Sequence, residues 1–341
     1  MVRLAVSVHD KLARALPRSI LANVTEDIHN VLESRLGREC AQKRIELEGN
    51  VSDVRGDGIR LFGVWVSDVT IQTLLGLAGL YRRGSRNARD VRVKHNFIAA
   101  SVPTTFDGFT ILQISDLHVD MNWGVVDRLA ILLPNLNYDL CVITGDYRGK
   151  SSGPFDAALY GMAKVRTFLK EPIYGVLGDH DTICMVPGLE TIGVRMLLNE
   201  YVKVTRGGHA IYLAGIDDAH RFHADDIPKA ASEIPDDEFS ILLSHTPEVY
   251  RQAAEAHFDL VLSGHTHGGQ ICLPGGFPLT LEANLPWRMG AAAWRYEHMI
   301  GYTSPGTGSS VVPVRFNCPP EVTLHHFSRG PFKTGDPEYV A

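Results

Sequence analysis

The sequence predicts an α/β or α+β domain with mixed β-sheets, preceded by a mainly helical N-terminal extension. Short apolar runs alternate with longer segments of helical period from Ile111 onward. All of these runs except Ile211–Leu213 stop directly before a Gly, Asp or His. The first 90 residues lack this alternation. With 341 residues, 45% apolar and 21% charged, the chain has the composition of a globular protein with a substantial core.

The N-terminal extension, residues 1–90, begins with an amphipathic helical stripe from Ile20 to Leu36. Gly56-Asp57-Gly58 predicts a turn between two strand-like stretches. The apolar stretch from Leu61 to Tyr81 is interrupted by Asp68 and Gln72, which favours a core-packing helix over a membrane span. Basic residues follow, with Asp90 as the acidic residue among them: Arg82, Arg83, Arg86, Arg89, Arg92 and Lys94. They suit a solvated linker or, alternatively, an anionic membrane surface.

The predicted domain spans residues 91–327, and a flexible tail, 328–341, follows it. Its buried strands are expected at Ile111–Ser115, Leu140–Thr144, Pro172–Leu177, Ile211–Leu213, Ile241–Ser244 and Leu260–Ser263. Helices are expected at Val125–Leu136, Phe155–Lys170 and Glu248–His257. Pro154 and Pro247 stand where the start of a helix tolerates proline.

The net charge and the cysteine content indicate which partners and which cellular compartment to expect. A net charge of -6 argues against a nucleic-acid partner, because a protein that binds nucleic acid neutralises the phosphates with a basic face. The five cysteines lack CxxC spacing, which predicts free thiols in a reducing compartment. The N-terminus does not match a secretory signal. We therefore expect a cytoplasmic protein, with peripheral attachment to the inner face of the membrane as the alternative that the basic cluster raises.

Asp and His residues follow the ends of five predicted strands. Asp116 and His118 are two residues apart, so an extended backbone would point both side chains to the same side. His265 and His267 repeat this spacing. The remaining members are Asp146 after Gly145, Asp179 and His180 after Gly178, and His245 after Ser244. Each piece alone is more often a turn or a capping residue, but α/β enzymes gather functional groups at strand ends, so the complete set is expected to converge.

The residue types predict a metal centre. Imidazole and carboxylate groups without thiolates favour Mn, Fe, Zn, Co or Ni. Seven ligands exceed the needs of one ion, and with Asp146 shared they suit two. Two ions roughly 3.5 to 4 Å apart can hold the attacking and leaving oxygens of a displacement at phosphorus, and they can also activate a water molecule. The sequence therefore predicts a metal-dependent phosphoester hydrolase.

The chain resembles the calcineurin-like metallophosphoesterases, whose motifs run Asp-x-His, Gly-Asp, Gly-Asn-His-Asp or Glu, a later His, and Gly-His-x-His. Here they stand as Asp116-Leu117-His118, Gly145-Asp146, Gly178-Asp179-His180-Asp181, His245 and Gly264-His265-Thr266-His267. The resemblance runs from about Asn96 to Phe327. The chain is also similar to the bacterial subgroup that includes phosphodiesterases and a membrane-associated UDP-diacylglucosamine pyrophosphohydrolase, in the segments Leu213–Asp218, Gly268–Ile271 and Val314–Val322. The resemblance implies a four-layer fold of two mixed sheets flanked by helices.

Carried over by position, the resemblance implies two metal ions, with Mn preferred, and a metal-bridging hydroxide as the nucleophile. The implied ligands are Asp116, His118, Asp146 and His267 for one ion, and Asp146, Asp179, His245 and His265 for the other. His180 would protonate the leaving oxygen, oriented by Asp181. Asp179 departs from the asparagine usual in the family, which affects the metal preference and the rate.

The substrate is less well defined by the sequence. Arg148 and His220 are candidate contacts for a substrate phosphate, each with a solvated loop as the alternative. Trp287, Trp294 and Tyr296 are candidates for an apolar entrance, with core packing as the alternative. The expected partner is a small phosphodiester or a lipid-linked nucleotide sugar at the membrane. A phosphomonoesterase or a non-catalytic scaffold would also be compatible with these residues.

Overall fold

The computed structural model describes residues 28–50, 58–61 and 64–330. In the N-terminal extension, helix α1 covers residues 28–36 and α2 covers Arg38–Asn50. Strands β1 (Gly58–Leu61) and β2 (Val64–Ser67) pair antiparallel, and helices α3 (Asp68–Leu77) and α4 (Tyr81–Asn87) follow. Ile20, Val24 and the predicted turn at Gly56-Asp57 lie outside the described residues.

The helix expected from Leu61 to Tyr81 is not continuous. Val64–Ser67 forms β2, and the Ser67 hydroxyl then caps α3 by accepting a hydrogen bond from Thr70 N. Ser is a preferred helix cap, so Ser67 ends the strand and α3 begins at Asp68, one of the polar residues that interrupt the apolar stretch. Among the described residues, no helix combines the length and the apolar character needed to cross a bilayer.

Two six-stranded mixed sheets form the centre of the domain. The first contains, in spatial order, β3 (Arg92–Ala100), β14 (Glu321–Arg329), β4 (Thr110–Ile114), β5 (Leu140–Thr144), β6 (Ile173–Val176) and β7 (Arg195–Met196). The second contains β12 (Ala292–Tyr296), β13 (Met299–Thr303), β11 (Leu260–Ser263), β10 (Ser240–Leu243), β9 (His209–Gly215) and β8 (Glu200–Arg206). All six strands expected from the apolar runs are present. Strand β14 runs to Arg329, past the domain end expected at residue 327.

Within the first sheet β4, β5 and β6 are parallel, and within the second sheet β9, β10, β11 and β13 are parallel. Antiparallel pairs join β14 to β4, β8 to β9 and β12 to β13. Every residue of β4 and β5 is buried. Mainly apolar strands that are buried along their whole length are typical of parallel sheets covered on both faces. Because the carboxyl ends of these strands point the same way within each sheet, the loops that follow them meet at one edge.

Helices cover the outer faces and give four layers. Helices α5 (Trp123–Leu132), α6 (Asp156–Arg166) and α7 (Val186–Thr191) pack on the first sheet, and α8 (Ile227–Ala231) and α9 (Tyr250–Glu255) pack on the second. Within β4, Leu112 and Ile114 face the helices while Ile111 faces the second sheet. Leu32 of α1 and Ala41 of α2 belong to the same helical core, so the extension is packed against the domain.

Candidate metal centre and active site

The loops after β4, β5, β6, β10 and β11 bring the seven predicted ligands together. They form two groups, and within each group the potential ligand atoms all lie within 4.8 Å of one another. The first group is Asp116, His118, Asp146 and His267, and the second is Asp179, His245 and His265. All seven residues are buried, at the edge where the strands of both sheets end.

Asp146 lies between the two groups. Its Oδ2 atom is 3.4 Å from His118 Nε2 in the first group. Its Oδ1 atom is 3.4 Å from His245 Nε2 in the second. The two oxygens of one carboxylate therefore face different groups, which is the arrangement expected of a shared ligand.

Within each group the potential ligand atoms lie close together. In the first, His267 Nε2 is 3.1 Å from His118 Nε2 and 3.5 Å from Asp116 Oδ1. In the second, Asp179 Oδ1 is 3.2 Å from His245 Nε2 and 3.1 Å from His265 Nδ1. The carboxylate of Asp179 thus occupies the position that the resemblance assigned to it, despite its departure from asparagine.

Hydrogen bonds to backbone carbonyls orient three of the imidazoles. The Nδ1 atoms of His118 and His245 lie 2.7 Å from Arg148 O and 2.8 Å from Thr144 O, and His265 Nε2 lies 2.8 Å from Glu282 O. A ring nitrogen that donates to a carbonyl leaves the other nitrogen with its lone pair free. In all three residues that other nitrogen faces the cluster, as metal ligation requires.

His267 is oriented differently. Its Nδ1 lies 3.0 Å from the guanidinium Nη2 of Arg315, which is fully buried. Burial, the neighbouring His118 and Arg315 together hold the pKa of His267 well below its usual value. The imidazole is therefore neutral, and a metal need not displace a proton from it. Arg315 stands in one of the segments that carry the resemblance, Val314–Val322, but it was not predicted as part of this site, because nothing in the sequence around it indicates a contact with His267.

Glycines allow the loops at the strand ends to approach one another closely. A Cβ on Gly264 would lie 1.9 Å from Ser115 Oγ and 2.3 Å from Asp116 Oδ2. Gly145 has a φ of +83°, and a Cβ there would lie 2.6 Å from His245 Nδ1. Any side chain at either position would collide with the site, so the glycines of these motifs serve close packing.

Five of the seven ligand candidates have left-handed backbone conformations. Their φ angles are 51° at Asp116, 38° at His118, 55° at Asp146, 70° at His265 and 49° at His267. The expectation that an extended backbone would align Asp116 with His118 is therefore wrong, since β4 ends at Ile114 and both residues lie in the loop beyond it. Such conformations are uncommon outside glycine and cluster at functional sites.

His180 lies beside the two groups, and Asp181 does not orient it. The Nδ1 atom of His180 bonds to Gly149 O at 2.7 Å. The Asp181 carboxylate instead accepts hydrogen bonds from the backbone N–H groups of Asp146 at 2.8 Å, Tyr147 at 3.0 Å and Gly178 at 2.8 Å. Asp181 therefore ties the loop after β5 to the loop after β6, which is a structural role.

Arg148 also differs from its predicted role as a substrate contact. It is buried, and its guanidinium donates to the carbonyl oxygens of His180 at 2.5 Å, Gly153 at 3.0 Å and Ser151 at 2.8 Å. These bonds direct the side chain into the loop rather than towards a ligand. Arg148 therefore helps to fix the backbone of His180.

His220 lies at the rim of the second group. Its ring centroid is 4.1 Å from that of His265, and its Nδ1 is 2.6 Å from Glu248 Oε2. Burial acts to raise the pKa of Glu248, but hydrogen bonds from His220 and from Asn284 N hold it at about 2. Glu248, which was expected only at the start of a helix, therefore anchors His220. Of the aromatic entrance candidates, Trp294 is buried in the core and Trp287 is exposed.

The donor set fits divalent cations. Asp116, Asp146 and Asp179 bring three carboxylates into one buried volume, where an isolated anion is costly. Burial raises the pKa of Asp116 to about 6, with the neighbouring Asp146 also acting in that direction. A cation at each group would offset this charge, and imidazole and carboxylate are the donors that Mn, Fe, Zn, Co and Ni accept. The residues of this site therefore fit divalent metal binding.

Two facing mixed sheets with buried Asp and His side chains at one edge are the arrangement that the resemblance to the metallophosphoesterases predicts. Residues 109–269 match the family model of the calcineurin-like phosphoesterases. The chain belongs to this family, as its motifs indicated.

Three relatives illustrate the range of the similarity. The chain is 30% identical over 240 residues to the uncharacterized metallophosphoesterase YkuE of Bacillus subtilis, covering 68% of this chain and 83% of that one. It is 26% identical over 230 residues to the phosphodiesterase YaeI of Escherichia coli, covering 63% and 81%. It is 32% identical over 241 residues to a transmembrane protein with a metallophosphoesterase domain from Danio rerio, covering 65% of this chain. It spans only 54%, about half, of the Danio protein.

Proposed function

We propose that the chain is a phosphodiesterase that works with two divalent metal ions, with Mn preferred. The observation that carries this proposal is the position of Asp146, whose two carboxylate oxygens face different ligand groups. The similarity to YaeI, which is described as a phosphodiesterase, supports the choice of diester over monoester.

The residues of the site have separate roles in this reaction. Asp116, His118, Asp146 and His267 would hold one ion, and Asp146, Asp179, His245 and His265 the other. When bound, such ions supply an activated water molecule and offset the negative charge that develops on the phosphoryl oxygens. His180 is held at Nδ1 by Gly149 O, which leaves Nε2 to deliver a proton to the leaving oxygen. His220 lies at the rim, where it can contact the substrate.

Metal content and substrate profile test this proposal together. We expect about two Mn ions per chain by mass spectrometry, and hydrolysis of bis-p-nitrophenyl phosphate faster than of p-nitrophenyl phosphate or a pyrophosphate diester. Because the ions bind only the folded chain, Mn at about 100 times its Kd should add about 2.7 kcal/mol of stability for each occupied site and raise the Tm. A chain that takes up no metal, or one that binds metal and hydrolyses none of these esters, would instead support a scaffold.

A second candidate function, hydrolysis of a lipid-linked pyrophosphate at a membrane surface, is favoured by the outer face of α3. Val69, Leu74 and Leu77 are 65%, 60% and 83% exposed there, while Ile71 on the opposite face packs against Val312 and Val314. The basic residues that follow are all exposed: Arg82, Arg83, Arg86, Arg89, Arg92 and Lys94. An apolar helix face beside exposed cations is typical of proteins that bind anionic membranes.

Vesicle flotation tests this surface. We expect the protein to float with phosphatidylglycerol vesicles at low salt, and the double change Arg82→Ala and Arg83→Ala to weaken binding more than tenfold, because each basic residue contributes about 1 kcal/mol. Leu77→Asp should also weaken it. The control is Ile131→Asp on α5. The wild-type Ile131 side chain is 62% exposed, but it lies on a helix that packs on the first sheet and not on the exposed face of α3. Equal effects of Leu77→Asp and Ile131→Asp would remove the support for a membrane substrate.

A further inference from the structure

Helix α2 of the N-terminal extension contacts two loops of the active site. Arg44 is 3% exposed and lies at the centre of this contact. Its Nε atom is 2.9 Å from Asp217 Oδ2 and its Nη1 atom is 2.8 Å from Glu48 Oε1. One guanidinium thus joins a residue of the helix to a residue of the loop after β9.

Glu48 extends the network to the loop after β6. Its carboxylate accepts hydrogen bonds from Thr182 Oγ1 at 2.5 Å and from Ile183 N at 2.7 Å. These two residues follow Asp179, His180 and Asp181 directly in the chain. The charged contact therefore lies two residues from the imidazole assigned to proton transfer.

Asp217 extends the network to the turn that carries His220. Its Oδ1 accepts a hydrogen bond from Asp218 N at 2.7 Å. The Asp218 carboxylate in turn accepts from the backbone N–H groups of His220, Arg221 and Phe222. The Arg44 guanidinium also lies 3.9 Å from the centre of the Phe222 ring. Arg44 thus holds both ends of this turn.

We infer that Arg44 and Glu48 are positioning residues of the active site, and that α2 holds the His180 loop and the His220 turn in register with each other. The inference rests on the proposed function, in which His180 protonates the leaving oxygen. Removing one member of a buried charged network leaves its partners uncompensated, so the loops would shift rather than keep the same geometry. Displacements of about 1 Å at a reacting group can cost on the order of 100-fold in rate.

Leaving-group dependence distinguishes positioning from a general loss of folded protein. A poor leaving group needs protonation, whereas p-nitrophenolate leaves without it. We expect Glu48→Gln to lower kcat for diphenyl phosphate about tenfold more than kcat for bis-p-nitrophenyl phosphate. Thr182→Val removes the same contact from the loop side and should reproduce the effect if Glu48→Gln does not fold. Arg44→Met should raise KM, and Arg44→Lys, which keeps the charge, should restore part of the loss.

Arg35 provides the matched control. It lies on α1 and anchors the extension through Glu190 and Glu200, away from both active-site loops. Arg35→Met should affect the two esters equally. The inference is overturned if the wild type is active and Glu48→Gln and Thr182→Val lower both esters by the same factor. Failure of the wild type to hydrolyse either ester would instead overturn the proposed function, and the inference with it.

Discussion

Asp146→Ala is expected to lower kcat/KM for bis-p-nitrophenyl phosphate by about 10³-fold or more and to reduce the metal content of both ligand groups. The physical reason is that each oxygen of this carboxylate faces one group, so a single change removes a ligand from both. Metal ions contribute several kcal/mol to stabilising a phosphoryl transition state, and each 1.36 kcal/mol is tenfold in rate. Metal analysis and steady-state kinetics measure the two effects.

Asp120 offers a control for this substitution. Its half-buried carboxylate accepts a hydrogen bond from Gly149 N at 2.7 Å, but it belongs to neither ligand group. Asp120→Asn should therefore keep the metal content of the wild type, since an amide oxygen can still accept that bond. Equal metal loss in the two variants would show that Asp146 has no special position between the groups.

His180→Gln is expected to lower kcat by about 10²- to 10⁴-fold while the metal content stays unchanged. The imidazole lies beside both groups, with its ring centroid 5.0 Å from that of His118, and is fixed by Gly149 O. In the metal-free protein burial acts to lower the pKa of His180, but Asp146 and Asp179 raise it overall. The loss should be greatest for diesters with poor leaving groups, because these require protonation.

The exposed His257 provides the comparison for that variant. It lies in the loop before β11 with a φ of 61°, a conformation that asparagine tolerates. His257→Asn should leave both kcat and the leaving-group dependence as in the wild type. If His180→Gln retained full activity on diphenyl phosphate, the assignment of His180 as the proton donor would be wrong.

The parts of the molecule that depend on local pattern were predictable. Buried parallel strands are continuous apolar runs, so β4, β5, β10 and β11 were expected from Ile111 onward. The ligand candidates were expected to meet because they follow those strands. Strands β3, β7, β8, β12, β13 and β14 were not predicted. In β8 and β12 only one residue each is buried and polar side chains are interspersed, so neither forms a continuous apolar run.

Features that depend on contacts between distant residues were not predictable in this way. Nothing in the local sequence around Arg44 indicates that it lies against Asp217, 173 residues later in the chain. The same holds for Arg315 beside His267 and for Glu48 beside Thr182. Asp181 was misassigned because adjacency to His180 in sequence suggested a bond to the ring, whereas its carboxylate accepts hydrogen bonds from four backbone amides.

The left-handed conformations of the ligand residues also affect the evolution of the protein. At about 1 to 3 kcal/mol each, five such residues weaken folding by an amount comparable with the whole stability of a domain. A lineage that no longer needed the metals would gain stability by replacing these five residues with glycine or asparagine, or by relaxing the loops. Asp or His stands at all five positions, so this site is built at a cost in folding stability.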